Sequence, residues 1–444
     1  MKKLLFFVML TVVSGVAAAQ TWTLQQCIDY ALEHNINVQQ KTLSQESEEY
    51  NLRIAKYSML PNLNANVGQN FDFGRSTSRD GTMIDQNSAS TGLNISSNMP
   101  LFSGMRIYHQ IKSGRLNLRA AMEDLSKVKD DLELNITSAF LSILFNKELL
   151  NVARTQAALT GEQVARAEKM VEAGRSPQSD LYEAKAALAQ DELSVIQCEN
   201  TLRLSLLDLA QLLELPNVAG FDIADPQIDD ATLLSFATLL NADTTFYHAV
   251  LFRPEIRAAQ YRLESSKHDL KTMQSYFYPS LSLQAGYSNN YYHLNGNAMP
   301  TEQPKQPSFW EQLDLNHREY VGINLSIPIF NRFETSSRVK MARLNIDQQM
   351  LQLESTKKIL QKEIQQAFYN AVAAQKKFEA SKKSIAASEE AFRYAEERYT
   401  AGRGTNFEFN DAKTRLIKAQ SDLLQAKYDY IFRHKILDFY NGVK

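Results

Sequence analysis

The chain has 444 residues, a formal net charge of −2 and a mean hydropathy of −0.35. That balance excludes a nucleic-acid binder, which carries a basic surplus or stripe, and the two cysteines, Cys27 and Cys198, are too few for a disulfide framework or a zinc site. Beyond the first twenty positions nothing supplies the ~20 unbroken apolar residues of a membrane-spanning helix.

Residues 1–19 read as a signal peptide: Lys2 and Lys3, an apolar run, then Ala17, Ala18 and Ala19 before Gln20. The mature chain is therefore expected to be exported. Cys27 lies inside a helical pattern beyond that cut, which makes it a small core residue rather than a lipidated terminus.

Next comes a helix over 22–57, followed by period-two stretches with one apolar and one small polar face. Leu63, Ala65, Val67, Phe71 and Phe73 alternate with Asn62, Asn64 and Asn66; Leu93, Ile95, Met99 and Leu101 alternate with Ser96 and its neighbours. Strands are predicted at about 62–73 and 93–102, joined by the turn-forming loop 74–92. From about Ile107 to Glu172 runs a single proline-free helix, ~100 Å long at 1.5 Å per residue, whose narrow apolar stripe includes Leu134, Phe140, Leu141, Leu144 and Phe145. A helical pattern over 177–214 completes this half.

The remainder repeats the first half. "MLPNLNANVG" at 59 matches "FYPSLSLQAG" at 277, "SNMPLFSG" at 97 matches "LSIPIFNR" at 325, and "GRLNL" at 114 matches "ARLNI" at 342. The two segments "AEKMVEAGRSPQSDLYEAK" (167–185) and "AEERYTAGRGTNFEFNDAK" (395–413) lie 228 positions apart. This predicts a first structural repeat over 20–218, a linker at 219–244 and a second repeat over 245–444. The second holds strands at about 280–292 and 321–330 and helices over 245–277, 336–400 and 405–440. Two short helices end to end match one long helix in length, so they can stack beside it. The fold class is mostly α with a minor β part, built as duplicated helix–strand–strand–helix halves.

Four strands with one apolar face leave edges that hydrocarbon does not tolerate, and four is below the smallest single-chain barrel of about eight. Three copies would close a barrel of about twelve strands, so a homotrimer in a lipid bilayer is expected. Phe71, Phe73, Phe102, Tyr291, Tyr292 and Phe330 suit an interfacial girdle.

At the end of each long helix sits a glycine, Gly174 or Gly402, expected to stop it. Ser176 and Pro177 are expected to restart one helix as cap and first residue, and Thr405 with Glu408 to restart the other as a capping box. The hairpin tips are thus predicted at about 173–180 and 401–408.

With its "PLF" and "PIF" strand ends and duplicated order, the chain resembles the TolC-type outer-membrane efflux proteins over about 22–440. The resemblance implies a trimer with a twelve-stranded outer-membrane β-barrel continued by a long periplasmic α-helical barrel. It further implies an exit duct for efflux or type I secretion, partnered by a periplasmic adaptor and an inner-membrane pump (RND, ABC or similar). The tips, with Gly174, Arg175, Ser176, Gly402 and Thr405, would dock the adaptor. By position Tyr399 and Asp180 match gate residues, with packing and helix-dipole roles as the plain alternatives. The gating arginine of the family falls on Gly404, leaving Arg403 one place away. Glu408 and Asp411 match two acidic positions that ring a periplasmic constriction, although a capping box needs Glu408 in any case.

Many members of that family begin at a lipid-bearing cysteine; the expectation here is that the barrel alone holds the membrane. No catalytic motif stands out: His34, His109, His248, His268, His293, His317 and His434 form no HxxxH pair, and no GxGxxG or GxSxG occurs. Neither an enzyme nor a cofactor is expected. The competing readings are a periplasmic adaptor, which has one long hairpin inside a β-rich domain, and a structural coiled coil without transport.

Overall fold

A computed structural model of the chain describes residues 21–77, 83–85, 87–218, 220–226, 241–295 and 307–442. The expected signal peptide, much of the linker and the middle of both strand-connecting loops lie outside them. In chain order the elements are β1 (Thr21–Trp22), α1 (Leu24–His34), α2 (Ile36–Tyr57), β2 (Asn64–Asp72), β3 (Arg75–Thr77), β4 (Met83–Asp85) and β5 (Asn87–Ser103). They continue with α3 (Arg106–Glu172), α4 (Gln178–Leu212), β6 (Asp222–Ile223), α5 (Ala242–Phe252), α6 (Pro254–Gln274) and β7 (Ser280–Asn295). The last are α7 (Phe309–Leu315), β8 (Arg318–Ser326), α8 (Glu334–Thr400) and α9 (Asn406–Asn441). No helix among the described residues is long and apolar enough to cross a membrane.

The chain forms two compact units, one of Met1–Leu43, Glu123–Arg257 and Ser355–Lys444, the other of Ser44–Met122 and Ala258–Glu354. The second unit holds a four-stranded antiparallel sheet in the order β2-β5-β7-β8. Register explains its two faces. Val67 lies opposite Leu93, Ala65 opposite Ile95, Met99 opposite Leu283, and Leu283 opposite Ile323. Because side chains alternate with period two, all of these share one face. Asn66, Asn94, Ser288 and Arg318 pair along one line of the other face, as do Asn64, Ser96, Gly286 and Tyr320. Val67, Val321 and Ile323 are exposed on the apolar side.

The strands differ from the sequence reading at their ends. β5 starts earlier than expected, and Pro100 falls within it rather than at its end, where the register slips between Pro100 and Phe102. The slip makes room for a proline that cannot donate to the ladder. β8 ends at Ser326, two residues ahead of Pro328, which restricts the residue before it and offers no N–H. Among the described residues β2 and β8 each keep one unpaired edge.

The helices expected over 22–57 and 245–277 are each broken once. Asn35 (ψ 128°) closes α1, and its Oδ1 accepts the Asn37 and Val38 N–H groups, so one residue ends a helix and starts the next. Arg253 (ψ 129°) does the same ahead of Pro254. Both breaks are buried and lie 218 positions apart, the repeat spacing of Pro61 and Pro279. The Arg253 guanidinium lies 3.1 Å from Glu255, 3.5 Å from Asp130 and 4.2 Å from the ring centre of Phe439 on α9.

The core of the first unit joins Ile136, Phe140, Ile143 and Leu144 of α3 to Leu209, Phe378, Tyr430 and Ile431. Leu132 and Ile136, rather than the expected Leu134, continue the buried stripe. The reason is the helical spacing of four that leads from Leu132 through Ile136 to Phe140.

Gly104 connects β5 to α3 with φ +61°, and a Cβ there would lie 2.7 Å from the Ser275 carbonyl and 2.8 Å from the Tyr278 Cβ. Gly174 has φ +68° but open space around it. Gly174→Ala should therefore cost only the left-handed strain of about 1–2 kcal/mol, while Gly104→Ala should cost clearly more. Thermal unfolding of the two variants in detergent checks this; equal melting temperatures would contradict the contact.

Candidate functional site

The duplicated tips are built by backbone chemistry that a short motif can encode. At the end of α3 the Gly174 N–H donates to the Val171 carbonyl at 2.9 Å and the Arg175 N–H to the Met170 carbonyl at 2.8 Å. At the end of α8 the Gly402 N–H donates to Tyr399 at 3.0 Å and the Arg403 N–H to Arg398 at 2.9 Å. Both are Schellman closures, which require a left-handed residue and satisfy carbonyls that would otherwise be orphaned. Gly174 and Gly402 supply that conformation, with φ of +68° and +70°.

The restarts differ. Thr405 caps α9 as read from the sequence: its Oγ1 accepts the Glu408 N–H at 3.2 Å, and Glu408 Oε2 accepts the Thr405 N–H at 3.3 Å. At the other tip Ser176 does not cap. Pro177 (ψ 155°) occupies the cap position without a side-chain bond, and the Ser176 hydroxyl donates to Asp180 Oδ2 at 2.6 Å. Pro177 cannot be the first helical residue because its ψ is extended, which displaces Ser176 one place outward.

Of the residues singled out by resemblance, Glu408 and Asp411 are both exposed near the start of α9. Glu408 also lies 3.5 Å from Arg398, and Asp411 pairs with Arg415 at 2.9 Å. Tyr399 stacks on Phe409 with ring centres 4.9 Å apart, and Phe409 is buried. Asp180 and Tyr399 form no hydrogen bond with each other within one chain. Arg175 and Arg403 are exposed and, among the described residues, have no ion-pair partner. At Gly404, where the family pattern expects arginine, a Cβ would sit 3.1 Å from the Tyr399 nitrogen. The closeness of this turn suits glycine.

Several residues were missed by sequence reasoning. Asn406 Nδ2 donates to Glu183 Oε2 at 3.2 Å, tying the start of α9 to that of α4. Deeper lies a polar knot among three helices: Lys413 of α9 donates to Thr160 of α3 at 2.6 Å and lies 3.7 Å from Asp191 of α4. Gln156 donates to Asp191 at 3.2 Å, and the Thr160 hydroxyl also bonds Asp191. The Lys413 side chain is 9% exposed. Burial pushes the Lys413 ammonium below its ordinary pKa, and Asp191 opposes that shift. A lysine whose folded value is lowered releases its proton more easily when folded. Its cost is therefore present at neutral pH and relieved as pH rises toward ~10.4. The one signal available in sequence was a lysine three residues from Asn410 on the buried side of the tip, beside Phe409.

Residues 27–214 and 246–438 match the sequence model of the family described as Outer membrane efflux protein. Outer membrane protein TolC of Escherichia coli K12 is 22% identical over 444 residues, spanning 97% of this chain and 84% of that protein. Proteases secretion protein PrtF of Dickeya chrysanthemi is 22% identical, spanning 96% and 89%. Among solved structures, CusC superposes with a TM-score of 0.77 at 19% identity, covering 95% of this chain and 92% of that one. VceC of Vibrio cholerae superposes at 0.75 with 16% identity, covering 95% and 97%.

The knot makes a prediction. Asp191→Ala leaves a buried ammonium without its carboxylate and should destabilise by about 3–5 kcal/mol. Replacing both partners, Asp191→Leu with Lys413→Met, should recover most of that loss. Melting curves followed by circular dichroism decide it: a single variant as stable as the parent would show that the pair carries no such penalty.

Proposed function

The chain belongs to the outer membrane efflux protein family, and from that premise we infer that it is an outer-membrane exit duct for efflux or type I secretion. It conducts substrates passively from the periplasm or an inner-membrane pump to the exterior, as a homotrimer working with a periplasmic adaptor. The single observation that carries this reading is the sheet: four antiparallel strands, apolar on one face only, with both outer edges unpaired. Such edges are satisfied in a bilayer only by closure, and the antiparallel order lets β8 of one chain lie beside β2 of the next.

The alternative of a periplasmic adaptor fits poorly. Two hairpins, α3–α4 and α8–α9, recur with matching tips, and β2, β5, β7 and β8 form one sheet rather than a domain split around a single hairpin.

The tips are assigned to the periplasmic entrance and to adaptor docking through Gly174, Arg175, Ser176, Gly402 and Thr405. Glu408 and Asp411 form the constriction. They are three positions apart, on one face of α9, and three chains would bring six carboxylates into one narrow passage, favouring cations over anions. Within each chain Glu408 is held by its capping box, and Tyr399 is fixed over Phe409. In the closed duct Tyr399, Asp180 and Arg403 face the neighbouring hairpin, where contacts between chains hold the gate.

Purified protein in planar bilayers tests both levels. The parent should form heat-resistant trimers with small, cation-preferring conductance. Glu408→Ala with Asp411→Ala should raise conductance and lower the cation preference severalfold. Unchanged selectivity would remove the constriction assignment and leave the duct; absence of any channel would remove the duct itself.

A further inference from the structure

The short helix α7 does something that neither the repeat nor the duct requires. β7 pairs with β5 as far as Asn295, but with β8 only as far as Ser288, opposite Arg318. Beyond that point α7 takes over the exposed edge. Gln312 Oε1 accepts the Tyr292 N–H at 2.9 Å, and Asn316 Nδ2 donates to the Asn290 carbonyl at 2.7 Å. These side chains stand in for the missing ladder.

The side on which α7 lies is given by register. Asn289 faces Leu93 and shares the apolar face with Tyr291 and Ala285. Asn289 is buried, its Nδ2 donates to the Leu313 carbonyl at 2.6 Å, and the Phe309 ring meets Tyr291 edge-on at 4.9 Å. The helix therefore covers a polar residue on the apolar face, at the end of the sheet away from the α2 and α3 junctions.

At ~100° per residue, Phe309, Leu313 and Trp310 fall within about 100° of one another, with Phe309 against the sheet, Asp314 about 40° beyond Trp310, and Glu311 and the exposed Leu315 on the far side. Trp310 is 76% exposed. The apolar flank lies at the same end of the sheet as Glu319, which faces Tyr287 on this side, and the band of Val321 and Ile323 that the family places in the membrane begins just beyond that carboxylate.

We propose that α7 is an interfacial anchor. Its Phe309–Leu313–Trp310 flank seats in the boundary between lipid headgroups and acyl chains at the outer surface, with Glu311 and Asp314 turned to water. A ring that is apolar in body and polar at its N–H suits this layer. The proposal rests on the reading of the sheet as membrane-embedded, and the test separates the two.

The chain has two tryptophans, Trp22 and Trp310. Trp22→Phe leaves Trp310 as the sole tryptophan. The trimer is reconstituted into phosphatidylcholine vesicles carrying bromine either near the carbonyl or near the end of the acyl chain. The control combines Trp22→Phe, Trp310→Phe and Ile323→Trp, placing one reporter on the apolar band. The expected result is quenching of Trp310 chiefly by the shallow bromines, with protection from aqueous iodide. If the control is quenched and Trp310 is not, the anchor is refuted and the embedded sheet stands; a Trp310 shielded by a neighbouring subunit gives this same result. If neither responds, the membrane reading itself fails.

Discussion

A peptide group carried into hydrocarbon must find its hydrogen-bond partner within the protein, since no water is there to serve. In this chain that requirement falls on two edges, the outer sides of β2 and β8. Among the described residues no further strand pairs with either edge. Identical neighbours satisfy both edges at once, and the strand directions already alternate as closure demands. The one-sided apolarity of the sheet follows from the same constraint, with lipid outside and water within. Oligomeric state, location and passive conduction are thus consequences of how four strands are left unfinished.

The helical unit meets a different demand. Its buried stripe is narrow, so apolar packing alone resists sliding of one helix along another only weakly. Polar groups placed at single points supply register. Arg253 sits between Asp130, Glu255 and Phe439, and Lys413 between Thr160 and Asp191. Each of these would be costly to expose to the wrong neighbour in a low-dielectric interior. Asn35 and Arg253, at equivalent places in the two repeats, break their helices with different chemistry, one by its side-chain amide and the other ahead of a proline. Duplication preserved the bend and let the means diverge.

Much of this was readable before any coordinates. Alternation revealed the strands because a half-buried ribbon in any medium repeats every two residues, and glycine revealed the tips because a left-handed closure has few other solutions. What escaped was long-range or cooperative. The Lys413–Asp191 contact joins residues more than two hundred positions apart, and no local pattern marks either as buried. Serine beside proline points to Ser176 as the cap; the extended ψ of Pro177 moves the cap by one residue. Pro100 was placed at a strand end, whereas a register slip absorbs it. Glu408 and Asp411 are exposed in the single chain, so any joint action of the two would arise only between copies.

The two tips close alike and restart unlike. One is held by a reciprocal threonine–glutamate bracket, while the other leads into its helix through a proline with no side-chain bond to the backbone. A rim built from such hairpins would carry two kinds of tooth, entering their return helices by different means. One kind is fastened by side-chain bonds to the backbone, the other by a serine–aspartate bond between side chains.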